Sequence, residues 1–409
     1  MLRIVLPVVT CLAFLPISAP GQDDDPMVAG KKKSEWLKVI VEEKSPRQRE
    51  AAVVAFMLLP NRDRRVIEAV REALLGDKAE RVRLKALDAV ALFILTESRE
   101  PPGLVEAIGK VLVNDSAEEL RLKALDTIKG ALKKDEQQKK IVPFLSDSMK
   151  ADQVAAIRAG SAAALGRMGP NAKAVVNVMT DCLKDKEPAV RAAVAEALGR
   201  VGDEARGAIP RLVPMLKDPD AGVRLAAAFA LGRIGPEAAT AIPDLAQTLA
   251  TDTDASVRKE AARAFALLGY DAKPGIPALV KALREDKSEE VRQQAALALG
   301  KMRGEDVSEF APAVLEVIKN DKDKNVRIFL VHSLGTSLGD GLRAYVKELA
   351  DQLMKDPEGE VRLAIVQELG ALGPAAKDAL PALKRAVTDV QLTVRDAAKA
   401  AVKRVQEQQ

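Results

Sequence analysis

Apolar residues recur along this chain at the spacing of one face of an α-helix, and the helical segments come in pairs. In the clearest pair, the first helix begins at Ile209-Pro210, where proline's missing N–H is not needed. Gly235 and Pro236 end the second helix. The apolar faces comprise Leu212, Val213 and Leu216 in the first helix and Val223, Ala227, Ala230, Leu231 and Ile234 in the second.

An arginine near the start of the second helix returns every 33 to 38 residues, and an aspartate stands six positions before it. The ten copies are Asp77 and Arg83, Asp115 and Arg121, Asp152 and Arg158, Asp185 and Arg191, Asp218 and Arg224, Asp252 and Arg258, Asp286 and Arg292, Asp321 and Arg327, Asp356 and Arg362, and Asp389 and Arg395. Pro46-Arg47 is interpreted as a degenerate first copy, with Val41 in place of the aspartate. The pattern therefore predicts eleven units.

Four of the second helices are expected to begin at a capping side chain four residues before the arginine, namely Asp220, Asp254, Ser288 and Asp323. One helix pair cannot bury its apolar face alone, whereas stacked pairs share a continuous core. The sequence therefore predicts an all-α fold, a right-handed α-solenoid in which antiparallel helix pairs form a superhelical stack.

The first 33 residues differ from the repeats. Arg3 precedes an uncharged stretch at residues 4–19 and then small residues, an order that predicts a secretory signal peptide over residues 1–21. The alternative is an uncleaved anchor, but the stretch is shorter than the roughly 20 residues of a membrane span. After cleavage no stable membrane span is expected. Residues 22–33 are predicted to be a charged linker, and the protein is expected in a bacterial periplasm or outside the cell.

Composition narrows the chemistry. One histidine excludes a multi-histidine metal site, and two cysteines, of which only Cys182 follows the signal, exclude a disulfide framework. The 63 Lys+Arg and 59 Asp+Glu residues leave a net charge of +4, too balanced for a protein that coats nucleic acid. No metal, cofactor or nucleic acid is therefore expected, and the expected partner is a protein or peptide segment. The sequence leaves the oligomeric state open.

Residues 218–224, Asp-Pro-Asp-Ala-Gly-Val-Arg, and 228–235, Ala-Phe-Ala-Leu-Gly-Arg-Ile-Gly, resemble HEAT repeats. They are most similar to the short HEAT-like repeats first described in phycobilisome lyases. The resemblance covers residues 34–409; repeats are regular over 151–409, whereas those over 34–150 are less regular. It implies that Asp and Arg of successive repeats form a buried polar ladder. A buried arginine needs a carboxylate or carbonyl beside it, because an unpaired buried charge is costly.

Two residues favour an enzyme at first sight. Ser337 lies in a Gly-x-Ser-x-Gly motif at 335–339, five residues after the only histidine, His332. That motif requires a strand before the serine, and here a second helix is predicted. The sequence therefore favours a protein that is not an enzyme. A HEAT-like lyase or ligase-type activity, with Ser337 or Cys182 reactive, is the alternative hypothesis.

Counted from the arginine, positions 1 and 5 of each second helix point away from the core, and position 9 lies at its flank. In the resembling family this stripe lines the concave surface of the solenoid. Here it combines apolar anchors with basic groups, and the predicted partner-binding residues are Leu225, Phe229, Arg233, Lys259, Arg263, Leu297, Lys301, Ile328 and His332.

We expect an exported scaffold whose concave face binds an acidic amphipathic segment, extended or helical. Phe229 is the expected exposed anchor, whereas Leu225 and Ile328 are equally compatible with packing against neighbouring helices. A structural spacer or an inhibitor of a partner enzyme remains an open alternative.

Overall fold

The structure is a computed structural model that describes residues 25–97, 101–301 and 307–407. Within these ranges the chain is all-α apart from a two-stranded antiparallel hairpin, β1 (Met27–Val28) and β2 (Lys31–Lys32). The predicted signal peptide at residues 1–21 lies outside the described residues, as do residues 22–24.

The chain divides into two compact units, one up to residue 107 and one from residue 108. The helices of the first unit are α1 (Lys33–Glu42), α2 (Pro46–Met57), α3 (Arg64–Gly76) and α4 (Glu80–Thr96), and the division falls within α5 (Leu104–Asn114). The helices of the second unit are α6 (Glu118–Ala131), α7 (Asp135–Ala151), α8 (Ala155–Met168), α9 (Val176–Cys182), α10 (Pro188–Val201), α11 (Ile209–Met215), α12 (Ala221–Ile234), α13 (Ile242–Thr251), α14 (Ala255–Leu268), α15 (Ile276–Glu285), α16 (Glu289–Lys301), α17 (Val307–Asn320), α18 (Lys324–Leu338), α19 (Val346–Lys355), α20 (Gly359–Ala371), α21 (Leu380–Ala386) and α22 (Leu392–Gln406).

The described helices form eleven consecutive pairs, as many as the predicted repeat units. In the second unit, the second helices of successive pairs contact one another from α6 to α22, and first helices such as α13 and α15 pack against the second helix of their own pair. The predicted apolar face of α12 is buried. The all-α solenoid fold is thereby confirmed. Among the residues described, every helix is too short or too polar for a membrane span.

Glycine follows the second helices α8, α10, α12 and α14, but the chain does not then form an open loop. Gly235 follows α12 with a φ of 84°, a left-handed conformation that favours glycine. The next residues wind as a 3₁₀ helix that leads directly into the following first helix. These 3₁₀ segments are Gly169–Val175, Gly202–Ala208, Pro236–Ala241, Gly269–Gly275, Gly339–Tyr345 and Gly373–Ala379.

Aspartate caps begin several of the second helices. Asp220 accepts a hydrogen bond from the backbone N–H of Val223 at 3.1 Å, and Asp254 accepts one from the N–H of Ser256 at 2.7 Å. Asp323 does the same for Asn325 at 2.6 Å. These three predicted caps are confirmed, and each satisfies backbone donors that the first turn leaves free.

Residues 25–32 of the predicted linker pack against α1, and Lys33 is the first residue of that helix. The Trp36 indole N–H donates to the carbonyl of Val28 at 2.7 Å, and the Lys31 ammonium lies 5.1 Å from the centre of the Trp36 ring. The hydroxyl of Ser34 donates to Asp25 at 2.7 Å. Trp36 itself is buried. An aromatic ring and a capping carboxylate thus hold this segment against α1.

Candidate partner-binding surface

The repeated Asp and Arg residues meet across successive helix pairs. Near the start of α12, Arg224 donates from Nε and Nη2 to the two carboxylate oxygens of Asp252 in the next pair, at 2.6 and 2.9 Å. Its Nη1 donates to the backbone carbonyl of Asp218 in its own pair at 3.0 Å. Equivalent pairs in the second unit are Arg121–Asp152, Arg158–Asp185, Arg191–Asp218, Arg258–Asp286, Arg292–Asp321, Arg327–Asp356 and Arg362–Asp389.

Each ladder carboxylate is also held by its own turn. Oδ1 of Asp185 accepts the backbone N–H of Glu187 at 2.9 Å, which fixes the turn between the first and second helix. The hydrogen bond from Arg158 holds the pKa of the Asp185 carboxyl below its usual range. The most buried rung joins Arg327 to Asp356, whose side chain has no exposed area. Removing one partner of such a pair leaves a buried charge without compensation.

The first unit corrects the predicted start of the repeat register. Arg49, not Arg47, occupies the ladder position: its Nε donates to Asp77 at 2.6 Å and its Nη1 to the carbonyl of Glu43 at 2.9 Å. Glu43 therefore stands where the sequence analysis placed Val41, and Arg47 is exposed. The interpretation of Pro46-Arg47 as the first copy is wrong by two residues, because the ladder residue follows Gln48 rather than an aliphatic residue.

Position 8 of several second helices is a glycine that lets the next helix approach closely. A Cβ atom on Gly199 in α10 would lie 2.7 Å from Cα of Ala230 in α12, and one on Gly232 would lie 2.8 Å from Cα of Ala264 in α14. These distances are shorter than any van der Waals contact, so only glycine fits. The exposed side chains of these helices are consequently brought close together across the stack.

The predicted apolar anchors are less exposed than expected. Phe229 is half-buried, because its ring covers Gly199, where a Cβ atom would lie 3.1 Å from Cδ1 of the ring. Leu225, Leu297 and Ile328 are also half-buried on their helices. Phe229 is therefore less exposed than expected, and none of these four apolar side chains projects fully into solvent.

The basic residues of the stripe divide into paired and unpaired groups. Lys259 forms an ion pair with Glu290 of the next helix pair at 2.7 Å, and Arg263 pairs with Glu260 on its own helix at 3.2 Å. Within the described part of the chain, the exposed side chains of Arg233 and Lys301 have no such partner. Among the predicted basic residues, Arg233 and Lys301 are thus available to a partner, whereas the charges of Lys259 and Arg263 are neutralised within the protein.

Position 9 adds two basic residues that the sequence analysis did not select. Arg167 in α8, Arg200 in α10 and Arg233 in α12 occupy equivalent, exposed positions of three successive second helices. Although the Arg167 side chain is exposed, partial desolvation of its guanidinium and the positive charge of Arg200 lower its pKa. Arg200 pairs with Glu196 at 2.6 Å. The signal for this row was present in the sequence as an arginine that recurs every 33 residues.

The last predicted residue of the stripe, His332, contacts the neighbouring repeat. Its Nδ1 lies 2.8 Å from Oε1 of Glu368 on α20. This hydrogen bond raises the pKa of the His332 imidazole, against the opposing effect of its partial burial. Glu368 lies against Gly335, which leaves room for its carboxylate at position 8 of α18. His332 thus contacts the neighbouring repeat while 44% of its side chain remains exposed.

The helix around Ser337 and the pKa of Cys182 bear on the alternative hypothesis of an enzyme. Ser337 lies within α18, so helix and not strand precedes it, and His332 is hydrogen-bonded to Glu368. Burial, together with the charges of Asp185 and Asp181, raises the pKa of the Cys182 thiol. A raised pKa leaves the thiol protonated at neutral pH, and the protonated thiol is a poor nucleophile.

The repeats of this chain match a known family of repeat proteins. A family model described as HEAT repeats matches residues 142–231, 176–266, 242–311 and 311–403. The chain belongs to the HEAT-repeat family. The matches overlap across the region in which the Asp–Arg ladder is continuous, so this HEAT-repeat segment and the regular part of the predicted repeat coincide. No curated protein matches the sequence.

Solved structures of other HEAT-repeat solenoids share the fold. A mutant of Kap121p superimposes with a TM-score of 0.59 at 14% identity over 91% of this chain. Kap121p bound to Nup53p gives 0.58 at 14% identity, also over 91%. Importin beta gives 0.57 at 14% identity, over 91% of this chain and 59% of its own. This chain spans less than half of the Kap121p structures, 45%, and at such identities the likeness concerns the fold alone.

Proposed function

We propose that this protein is an exported scaffold that binds another protein along the stripe formed by its second helices, the face that is concave in HEAT-repeat solenoids. The observation that carries the proposal is the contrast between a regular ladder and a variable stripe. Position 5 is glutamate in α10, phenylalanine in α12, arginine in α14 and leucine in α16. A scaffold that repeats its structural residues while varying its exposed ones is suited to recognise an irregular partner.

The middle of the second unit is the favoured site. Phe229 and Leu225 supply a half-buried apolar floor, and Arg233 and Arg263 supply exposed charges at its edge. An apolar centre with a polar rim is the usual composition of a protein interface. The protonated Cys182 and the helical surroundings of Ser337 favour binding over catalysis. As a further part of this proposal, the repeats of this protein are related to the short HEAT-like repeats of phycobilisome lyases.

Site-specific photo-crosslinking in cells that make the protein tests the binding face. A photoreactive amino acid is placed at position 229 or 263 on the stripe, and at position 211, an exposed site on the first helix α11. We expect one and the same partner band from positions 229 and 263, and none from position 211. Crosslinks at position 211 alone, or none at either stripe position, would contradict the proposal.

Export is tested separately. The uncharged stretch at residues 4–19 and the small residues after it favour secretion with cleavage near residue 21. We expect the protein in the envelope or culture fluid, with a mature N-terminus close to residue 22. Recovery of the intact N-terminus in the cytoplasmic fraction would overturn the proposed location without affecting the proposed binding face.

A further inference from the structure

The strongest unassigned feature of the described molecule is the row of guanidinium groups at position 9 of α8, α10 and α12, formed by Arg167, Arg200 and Arg233. Arg167 and Arg233 have no acidic partner among the described residues. Placing like charges side by side is unfavourable, yet Arg200 reaches back to the helix of Arg167: its Cδ would lie 3.3 Å from a Cβ atom on Gly166, the residue before Arg167. Packing does not require the arrangement, because Leu267 takes the equivalent position in α14.

We infer that this row binds an acidic, extended peptide segment of a partner protein, which runs along the stack and places one carboxylate at each arginine. The inference rests on the proposed function and specifies the class of partner. Guanidinium groups bind carboxylates through paired, charge-assisted hydrogen bonds, which give direction as well as attraction.

The packing distance between the helices sets the spacing that we expect for the row. Helices that pack face to face lie about 8–10 Å apart, and the glycine contacts at Gly166, Gly199 and Gly232 place these helices at the short end. A polyproline II segment rises about 3.1 Å per residue with three residues per turn. Side chains three residues apart therefore lie on one side at about 9 Å, so acidic residues at every third position match the row.

The surroundings favour a peptide over a nucleic acid. The row borders the apolar floor of Leu225 and Phe229. At position 9 of the next second helix, Leu267 covers Gly232: its Cδ1 lies 3.3 Å from where a Cβ atom on Gly232 would be. Asp126 is close enough to Arg167 to affect its pKa, and Glu196 is paired with Arg200. These carboxylates oppose any polyanion alike, but apolar side chains between the acidic ones of a peptide would contact the floor, which a phosphate backbone would not.

Binding of a synthetic peptide to the purified full chain tests this inference. The probe is a peptide of four Glu-Pro-Pro repeats, which favours the polyproline II conformation, measured by fluorescence anisotropy at low ionic strength. The variant pair R167Q and R233Q, combined in one protein, is expected to weaken binding at least tenfold. Both side chains are exposed, so the variant should fold, which circular dichroism checks. The matched control combines R206Q and R211Q, which remove the same charge from exposed sites on the other side of the repeats, and should change binding less than twofold.

Three further probes, two peptides and one oligonucleotide, test the charge, the spacing and the chemical class of the ligand. A peptide of four Lys-Pro-Pro repeats should not bind, and a peptide with four glutamates at every second residue should bind several-fold more weakly. Equal binding of the second peptide would overturn the proposed spacing. No binding of the Glu-Pro-Pro peptide, equal loss in the control variant, or tighter binding of a single-stranded oligothymidylate would overturn the inference.

The outcome is distinguishable from failure of the proposed function. Crosslinks at position 229 without peptide binding would leave a protein-binding face whose partner is not acidic. Absence of both would reject the face altogether. Raising the salt concentration from about 50 to 200 mM should weaken peptide binding, because exposed ion pairs are screened.

Discussion

Two stretches of the second unit stack their second helices in different ways. From α8 to α14, the glycines at position 8 face alanines at position 6 of the next helix, and the backbones nearly touch. From α16 to α20, the same position faces polar residues. The facing pairs are Gly166–Ala197, Gly199–Ala230 and Gly232–Ala264 in the first stretch, and Gly300–Ser333 and Gly335–Glu368 in the second.

The ladder is unchanged between the two stretches, since Arg224–Asp252 and Arg327–Asp356 have the same geometry. The comparison therefore separates two roles that a repeat combines. Asp and Arg align neighbouring repeats through a fixed polar contact, whereas the residue at position 6 decides whether the helix interface is apolar or titratable. Each of the three predictions below changes one of these roles.

The largest expected effect comes from breaking a ladder rung in the polar stretch. Arg327→Met would leave Asp356, which has no exposed side-chain area, without its counter-ion. We expect a loss of about 3–5 kcal/mol in the free energy of unfolding, measured by urea denaturation. Arg224→Met in the apolar stretch should cost somewhat less, because Asp252 retains 5% exposure.

The control for this prediction removes both charges of the rung. Adding Asp356→Asn to Arg327→Met eliminates the unpaired charge but keeps an oxygen acceptor for Gln352, which donates to Asp356 at 2.9 Å. At least half of the lost stability should return. A loss below about 1 kcal/mol for Arg327→Met alone would mean that the ladder contributes alignment without stability.

An intermediate effect is expected at the glycines of position 8. In Gly232→Ala, the new Cβ would lie 2.8 Å from the Cα of Ala264, a backbone atom that cannot yield without moving the helix. We expect a net loss of about 2 kcal/mol, even after the gain of about 1 kcal/mol in helix propensity. In Gly335→Ala the obstacle is the carboxylate of Glu368, which can rotate away, so thermal unfolding should change little. Equal losses in the two variants would refute the distinction between the stretches.

The fold was predictable because the same sequence signals recur in many successive repeats. An apolar face at helical spacing, an aspartate cap and a glycine ending recur together, so errors in one copy do not alter the whole. Where a copy departs from the rule, prediction failed: Arg49 follows a glutamine, and Glu43 replaces the ladder aspartate. The 3₁₀ segments were also missed, since a glycine–proline ending predicts only that an α-helix stops.

The candidate surface was predictable in position but not in exposure or pairing. Helical periodicity places Phe229 on the outward stripe, but the Gly199 that accommodates its ring belongs to another repeat, 30 residues earlier. The ion pair of Lys259 and Glu290 likewise joins side chains of different helices. Such contacts depend on how far one helix is offset from the next, which a single sequence does not specify. The stripe could therefore be identified, while its free charges could not.

The smallest expected effect concerns pH and is confined to the polar stretch. His332 is the only histidine of the chain, and its pKa is raised above the ordinary value by the hydrogen bond to Glu368. A raised folded-state pKa stabilises the fold fully below the unfolded value of about 6.5, and this contribution is lost as pH rises through the folded pKa. His332→Gln should therefore lower stability at pH 6 and match the unaltered protein at pH 9. Because the imidazole is 44% exposed, the difference at pH 6 should stay below about 1 kcal/mol.

A matched variant separates the charge of this pair from its packing. Glu368→Gln keeps the size and a hydrogen-bond acceptor beside Gly335 but removes the negative charge that favours protonated His332. The pH dependence between 6 and 9 should disappear in Glu368→Gln as it does in His332→Gln, while stability at pH 9 stays unchanged. Cys182 also makes stability fall as pH approaches 9, because its pKa is raised in the folded protein, but this fall is common to all three proteins and cancels when each variant is compared with the unaltered protein at the same pH. If the free energy of unfolding still changes with pH in both variants as it does in the unaltered protein, the polar interface is not titratable. The two stretches would then differ in packing alone.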